Sequence, residues 1–107
     1  LTAWIILFFA GLSEICWAVG MKYTEGFTRI WPSVFTVVFM LVSVLLLAQS
    51  LKTLPVGTAY AIWTGIGAIG TAVCGMILFG EPRDAARLFC IFLIVTGIVG
   101  LKLVTKA

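Results

Sequence analysis

Residues 4–21 read Trp4-Ile-Ile-Leu-Phe-Phe-Ala-Gly-Leu-Ser-Glu14-Ile-Cys-Trp-Ala-Val-Gly-Met21, an apolar run broken near its centre by one carboxylate. A bilayer core about 30 Å thick requires ~20 apolar residues per helix, so this run is long enough to span. An acidic side chain at the centre of such a helix costs about 2.5–3.5 kcal/mol on insertion, and residues of this kind point into a bundle or a wet cavity. Glu14 is therefore the first candidate site residue. The run lacks a basic leader and is too long for a signal-peptide core, so it reads as a retained span.

The rest of the chain agrees. Of its 107 residues 63% are hydrophobic and only 10% charged, too few polar groups to cover a soluble domain of this length. The expected fold is an all-α membrane protein, a single four-helix domain over residues 1–107 with spans near 3–21, 33–51, 57–79 and 86–104. Lys22, Glu25, Gly26 and Arg29 make a solvated first joint, and Trp31 before Pro32 supplies an interfacial aromatic and a helix start. Lys52-Thr-Leu-Pro55 closes the second span. Gly80-Glu-Pro82-Arg-Asp84 turns the chain and sets acidic residues near the positive end of the fourth.

Four spans put Lys52, Lys102 and Lys106 on one side and Lys22, Arg29, Arg83 and Arg87 on the other. A fixed orientation depends on a clear excess of Lys and Arg on the cytoplasmic side, and none exists here, so both orientations are expected. Two opposed copies would form an inverted pair, with a site near the midplane where the halves meet. That antiparallel, dual-topology homodimer would bring two Glu14 side chains into one cavity. The chain has no internal repeat, so any such symmetry must arise between copies.

The formal charge of +3 is spread over the joints and forms no basic tract for nucleic acid, and there is no histidine. Cys16, Cys74 and Cys90 lie in separate apolar runs without metal-ligand spacing and read as small packing residues. Gly65-Ile-Gly67-Ala-Ile-Gly70 matches the letters of a dinucleotide fingerprint but lies inside an apolar span, without the strand and turn that motif needs. No nucleophile, metal cluster or phosphate loop is evident, so neither an enzyme nor a cofactor is expected.

At 100° per residue, Ala10, Gly11, Trp17 and Ala18 share the face of Glu14. Small residues there leave room for a ligand or for close helix approach, and the Trp17 indole is a donor that can fix a carboxylate or an anchor at the interface. Gly65 and Gly67 weaken the middle of the third span and suit a hinge, while Gly57-Ala61-Gly65 and Gly67-Thr71-Gly75 equally suit tight packing. Tyr60 and Trp63, three apart, offer a π face to a cation or form part of an interfacial belt. Ser43 carries a weaker signal, since a helical serine often bonds its own preceding turn. In the fourth span Cys90, Gly97 and Gly100 suit an association surface, and Lys102 can snorkel to the interface.

Carboxyl groups in low dielectric hold protons more tightly, and more so beside one another, whereas a bound cation favours their charged form. Competition between protons and a cation, joined to alternating access, gives proton-coupled cation export. The rival from a different class is a structural or pore-forming oligomer in which Glu14 only fixes helix association.

Glu14, Lys22 with Glu25-Gly-Phe-Thr-Arg29, and Pro55-Val-Gly-Thr-Ala-Tyr-Ala-Ile-Trp63 together resemble the small multidrug resistance family of four-span bacterial exporters along nearly the whole chain. The resemblance implies an antiparallel homodimer in the inner membrane whose paired glutamates exchange protons for a cation. Glu14-Ile-Cys-Trp17-Ala18, Trp63-Thr-Gly-Ile-Gly-Ala68 and Gly100-Leu-Lys102 are similar to the guanidinium-exporting branch. Met21-Lys22, Thr24-Glu25-Gly26-Phe27-Thr28-Arg29 and Leu46-Leu-Ala-Gln49 are also similar to the multidrug branch, which leaves a broader quaternary ammonium range as the alternative. By the resemblance Gly11, Glu14, Trp17, Ser43, Tyr60 and Trp63 line the site, with Trp17 and Ser43 orienting Glu14. A guanidinium cation, or a small substituted one, suits paired carboxylates because its planar N–H fork matches them in two-point contact.

Overall fold

In hydrocarbon every backbone N–H and C=O needs a partner from its own segment, so each apolar run closes into a helix. The computed structural model describes residues 1–105, and Lys106 lies outside them. Its helices are α1 (Thr2–Tyr23), α2 (Ile30–Ser50), α3 (Val56–Leu78) and α4 (Ala85–Val104). All four are long and apolar enough to cross a membrane, and no strand occurs among the described residues. The chain is a multi-pass membrane protein.

The helix ends depart from the sequence reading where backbone chemistry permits it. α2 starts at Ile30 instead of near residue 33. Pro32 is tolerated in that first turn because the leading N–H groups of a helix have no intrahelical acceptor. The first joint is short and wound around Thr24, which is fully buried. Its hydroxyl donates to the Met21 carbonyl at 2.7 Å and accepts from the Phe27 N–H at 3.1 Å. Glu25, Gly26 and Phe27 follow with positive φ, so the joint depends on three left-handed residues of which only one is glycine. Asp84 caps α4 without a side-chain cap bond and lies 3.9 Å from Arg87, while Glu81 turns back onto the end of α3 and does not reach the first turn of α4.

α1 is the hub, packed against both α2 and α3, whereas the backbone of α4 approaches α3 alone. Glycines set these approaches. A methyl group at Gly11 would meet the Ile66 Cβ at 2.8 Å, and one at Gly20 would meet the Phe35 ring and the Thr36 hydroxyl at 2.9 Å. Leu7, Leu54, Ala59 and Ile62 form a buried cluster at the end where α1 starts and α3 begins. α4 buries no residue. Cys90 and Gly97 are exposed, and a Cβ added at Gly97 or Gly100 would find nothing within 4 Å. At its far end Lys102 reaches the Trp4 ring, 5.0 Å from the centroid.

Candidate functional site

Glu14 lies midway along α1, half-buried on the face turned to α3. Its carboxylate occupies the space a side chain at Gly67 would fill: a Cβ there would overlap Oε1 and stand 2.9 Å from Cγ. Glycine at 67 therefore makes the seat of the carboxylate. Among the described residues no hydrogen bond or ion pair reaches that carboxylate; the ion pairs are Arg29 with Glu25 and Arg87 with Asp84, both at exposed ends of the helices.

One helical turn before Glu14, three helices are tied by a single hydroxyl. The fully buried Ser43 on α2 donates to the Ala10 carbonyl of α1 at 2.7 Å and accepts from the Trp63 indole N–H of α3 at 2.8 Å. In an α-helix the Ala10 carbonyl also accepts the Glu14 N–H. Ser43 thus touches the α1 backbone at the carbonyl that precedes Glu14 by one turn, and its hydroxyl does not bond the carboxylate itself. Trp63 stands 5.6 Å from Tyr60 between ring centroids, at a tilt of 51°, which carries the aromatic face outward from Ser43 to the exposed Tyr60.

The other expected residues fall in different places. The Trp17 indole nitrogen is buried and has no acceptor among the described residues, so it does not bond Glu14 here. Gly11 is buried within the single chain, where a Cβ would meet the Ile66 side chain. α3 runs unbroken through Gly65 and Gly67. Gly65 admits the Ile98 side chain of α4, with Cδ1 2.8 Å from where its Cβ would be, and Gly67 admits Glu14. Cys16, Cys74 and Cys90 are free thiols. The structure therefore joins Glu14 to Gly67 and, one helical turn earlier on α1, Ser43 to Trp63 and Trp63 to Tyr60. The role of Gly67 escaped the sequence reading; its one signal was the spacing of Gly67, Thr71 and Gly75, which reads as packing until the opposing carboxylate is placed.

What remains is a carboxylate without a donor among the described residues, seated on bare backbone, while the Trp63 indole is tied to α1 one helical turn earlier and carries Tyr60 beyond it. That arrangement can take a proton or a cation rich in N–H groups, and the π surfaces one turn away favour a positive guest. The sequence profile described as Small Multidrug Resistance protein matches residues 2–94. The chain belongs to the small multidrug resistance family. Relatives in this family include a protein of Escherichia coli strain K12 named Guanidinium exporter, 60% identical over 96% of this chain and 98% of its own length. Proteins of the same name from Salmonella typhimurium strain LT2 and Citrobacter freundii are 59% and 56% identical, over 94% and 96% of this chain and 96% and 98% of theirs. As a member of the small multidrug resistance family the chain is a transporter.

Proposed function

We propose that this protein is a secondary active transporter that exports guanidinium, or a small substituted guanidinium, in exchange for protons. It works as an antiparallel homodimer in the bacterial inner membrane, each copy a single four-helix unit. The observation that carries this reading is the Glu14 carboxylate, seated on Gly67 inside the span with no partner among the described residues. Two opposed copies supply two such carboxylates, and a planar cation with several N–H donors answers both at once. The near balance of Lys and Arg on the two sides supports insertion both ways up. The names of relatives 56–60% identical support guanidinium as the cation.

In the dimer the outer face of α4, with Cys90, Gly97 and Gly100, packs against the second copy. Gly11, Trp17, Ser43, Tyr60 and Trp63 line the shared site around Glu14. Protons and guanidinium compete for the same carboxylates, so the cation leaves on the side where protons are plentiful. Gly65 and Gly67 let α3 bend as the site turns from one side of the membrane to the other. By linkage, the apparent Kd for guanidinium rises as pH falls, about tenfold per unit for each proton displaced.

Flux into liposomes tests this reading. The protein should move guanidinium against a proton gradient, and Glu14→Gln should assemble normally and lose exchange. Preference for a bulky quaternary ammonium would place it with the multidrug branch. Exchange retained by Glu14→Gln would overturn the mechanism.

A further inference from the structure

The side of α1 turned away from Glu14 carries a cavity of its own, a furrow of about 610 Å³ bounded by α1, the start of α2 and Cys74 of α3. At 100° per residue, its wall residues Cys16 and Tyr23 stand about 160° and 180° around α1 from Glu14. Among the described residues none of α4 lines it, and neither do Glu14, Ser43, Tyr60 or Trp63. The shared site and the α4 contact of the dimer proposed above therefore both leave the furrow open to lipid.

The furrow has a direction and a depth. Ile15 and Cys16 line its inner end, and Tyr23 and Arg29 its outer end at the joint between α1 and α2. From Tyr23 to Ile15 is eight residues of helix, about 12 Å, close to the ~15 Å of hydrocarbon in one leaflet. Gly20 is its buried floor, where α1 lies so near α2 that a methyl group would meet the Phe35 ring at 2.9 Å. Phe35 itself is exposed beside it. The inner walls are thus apolar, and the charged and hydroxyl groups are gathered at the end that meets water.

Hydrocarbon fills any such furrow in a bilayer; the groups at its mouth decide which lipid supplies it. Arg29 is the one charged residue of the lining. Its backbone is fixed on both sides, since its N–H donates to the Thr24 carbonyl at 3.1 Å and its carbonyl accepts from the Ser33 N–H at 3.1 Å. Its side chain lies 4.0 Å from Glu25, both groups largely exposed, and a pair of that kind holds a guanidinium only weakly. Glu25 is not part of the lining, so the furrow presents a cation and no carboxylate. Tyr23 adds a phenol at the same mouth, its ring set 5.6 Å from that of Phe79.

We propose that the furrow binds an anionic phospholipid, one acyl chain laid along its apolar walls and the phosphate held by the Arg29 guanidinium. A phosphate accepts two parallel N–H bonds from a guanidinium, which the loose contact with Glu25 does not supply. In two opposed copies the mouths lie in opposite leaflets, so the pair takes one lipid from each.

Native mass spectrometry of the full chain, with phosphatidylglycerol or with phosphatidylcholine or phosphatidylethanolamine of the same chain length, tests this. One phosphatidylglycerol should stay with each chain in preference to the zwitterionic lipids. Arg29→Gln should weaken its retention about fivefold, the effect of one cation at an anionic membrane surface. Glu25→Gln breaks the same ion pair but keeps Arg29, and should hold the lipid at least as tightly as wild type. Cys16→Phe and Cys74→Phe, which fill the furrow from facing walls, should each release it. Excess guanidinium should leave it in place, because Glu14 lies on the opposite face of α1. Equal retention of the zwitterionic lipids, equal weakening by Arg29→Gln and Glu25→Gln, lipid that persists in both cysteine variants, or lipid displaced by guanidinium would each overturn the proposal.

Discussion

Gly67→Ala separates the stability of the chain from its chemistry. A Cβ at 67 would stand 2.5 Å from the Glu14 Cδ, and ordinary carbon contact begins near ~3.5 Å, so the carboxyl group must withdraw by about 1 Å. The obstacle is the far end of a flexible side chain, which can swing away at little expense. Alanine in a helix interior is also favoured over glycine by about 0.5–1 kcal/mol, so the variant should melt at or slightly above the wild-type temperature. Displacement of a reacting group by about 1 Å can reduce rate about 100-fold, equivalent to about 2.7 kcal/mol, and guanidinium flux should fall by that order. Gly11→Ala provides the contrast. Its methyl would meet the Ile66 Cβ at 2.8 Å, an atom fixed to the backbone of α3, and overpacking of this kind costs about 1–3 kcal/mol of stability. Thermal melting in detergent and guanidinium flux in liposomes, measured on both variants, check the reasoning. A Gly67→Ala protein that transports at the wild-type rate, or that unfolds like Gly11→Ala, refutes it.

Ser43→Ala removes both bonds of the buried hydroxyl and leaves the Trp63 indole N–H without its acceptor, a loss of about 1–3 kcal/mol that melting in detergent should register. Gly97→Leu should leave the chain's own fold intact, because a Cβ there meets nothing within 4 Å. It should crowd the contact between copies by about 1–3 kcal/mol, raising the dimer dissociation constant roughly tenfold to 100-fold in a cross-linking or size-exclusion titration. An unaltered dimer would remove Gly97 from that contact.

Hydrophobic runs and their breakers made the four helices legible, because a membrane span has few ways to satisfy its backbone. The start of α2 was less so: proline reads as a boundary, yet the first turn of a helix tolerates it, and α2 begins two residues before Pro32. Glu14 was legible from cost alone. Its surroundings were not, since the partners that decide them are brought close only by helix crossing. Ser43 and Trp63 are twenty residues apart and Ser43 and Ala10 thirty-three, separations at which no local spacing carries a signal. Gly67 shows the same limit from the other direction. Its spacing with Thr71 and Gly75 is visible, but whether a glycine gives a bend, a helix contact or room for a carboxylate depends on what the neighbouring helix presents.

Glu14 is the only Asp or Glu within the four helices of the chain. Each copy of the proposed dimer therefore brings one titratable carboxylate into the membrane, and a pair can release at most two protons per cycle. Exchange of two protons for one monovalent cation carries one net positive charge inward, and a membrane potential contributes about 2.3 kcal/mol per 100 mV for such a charge. Export would then draw on voltage as well as on the proton gradient, so that a cell able to hold its potential could keep clearing the cation even when the pH on the two sides is the same.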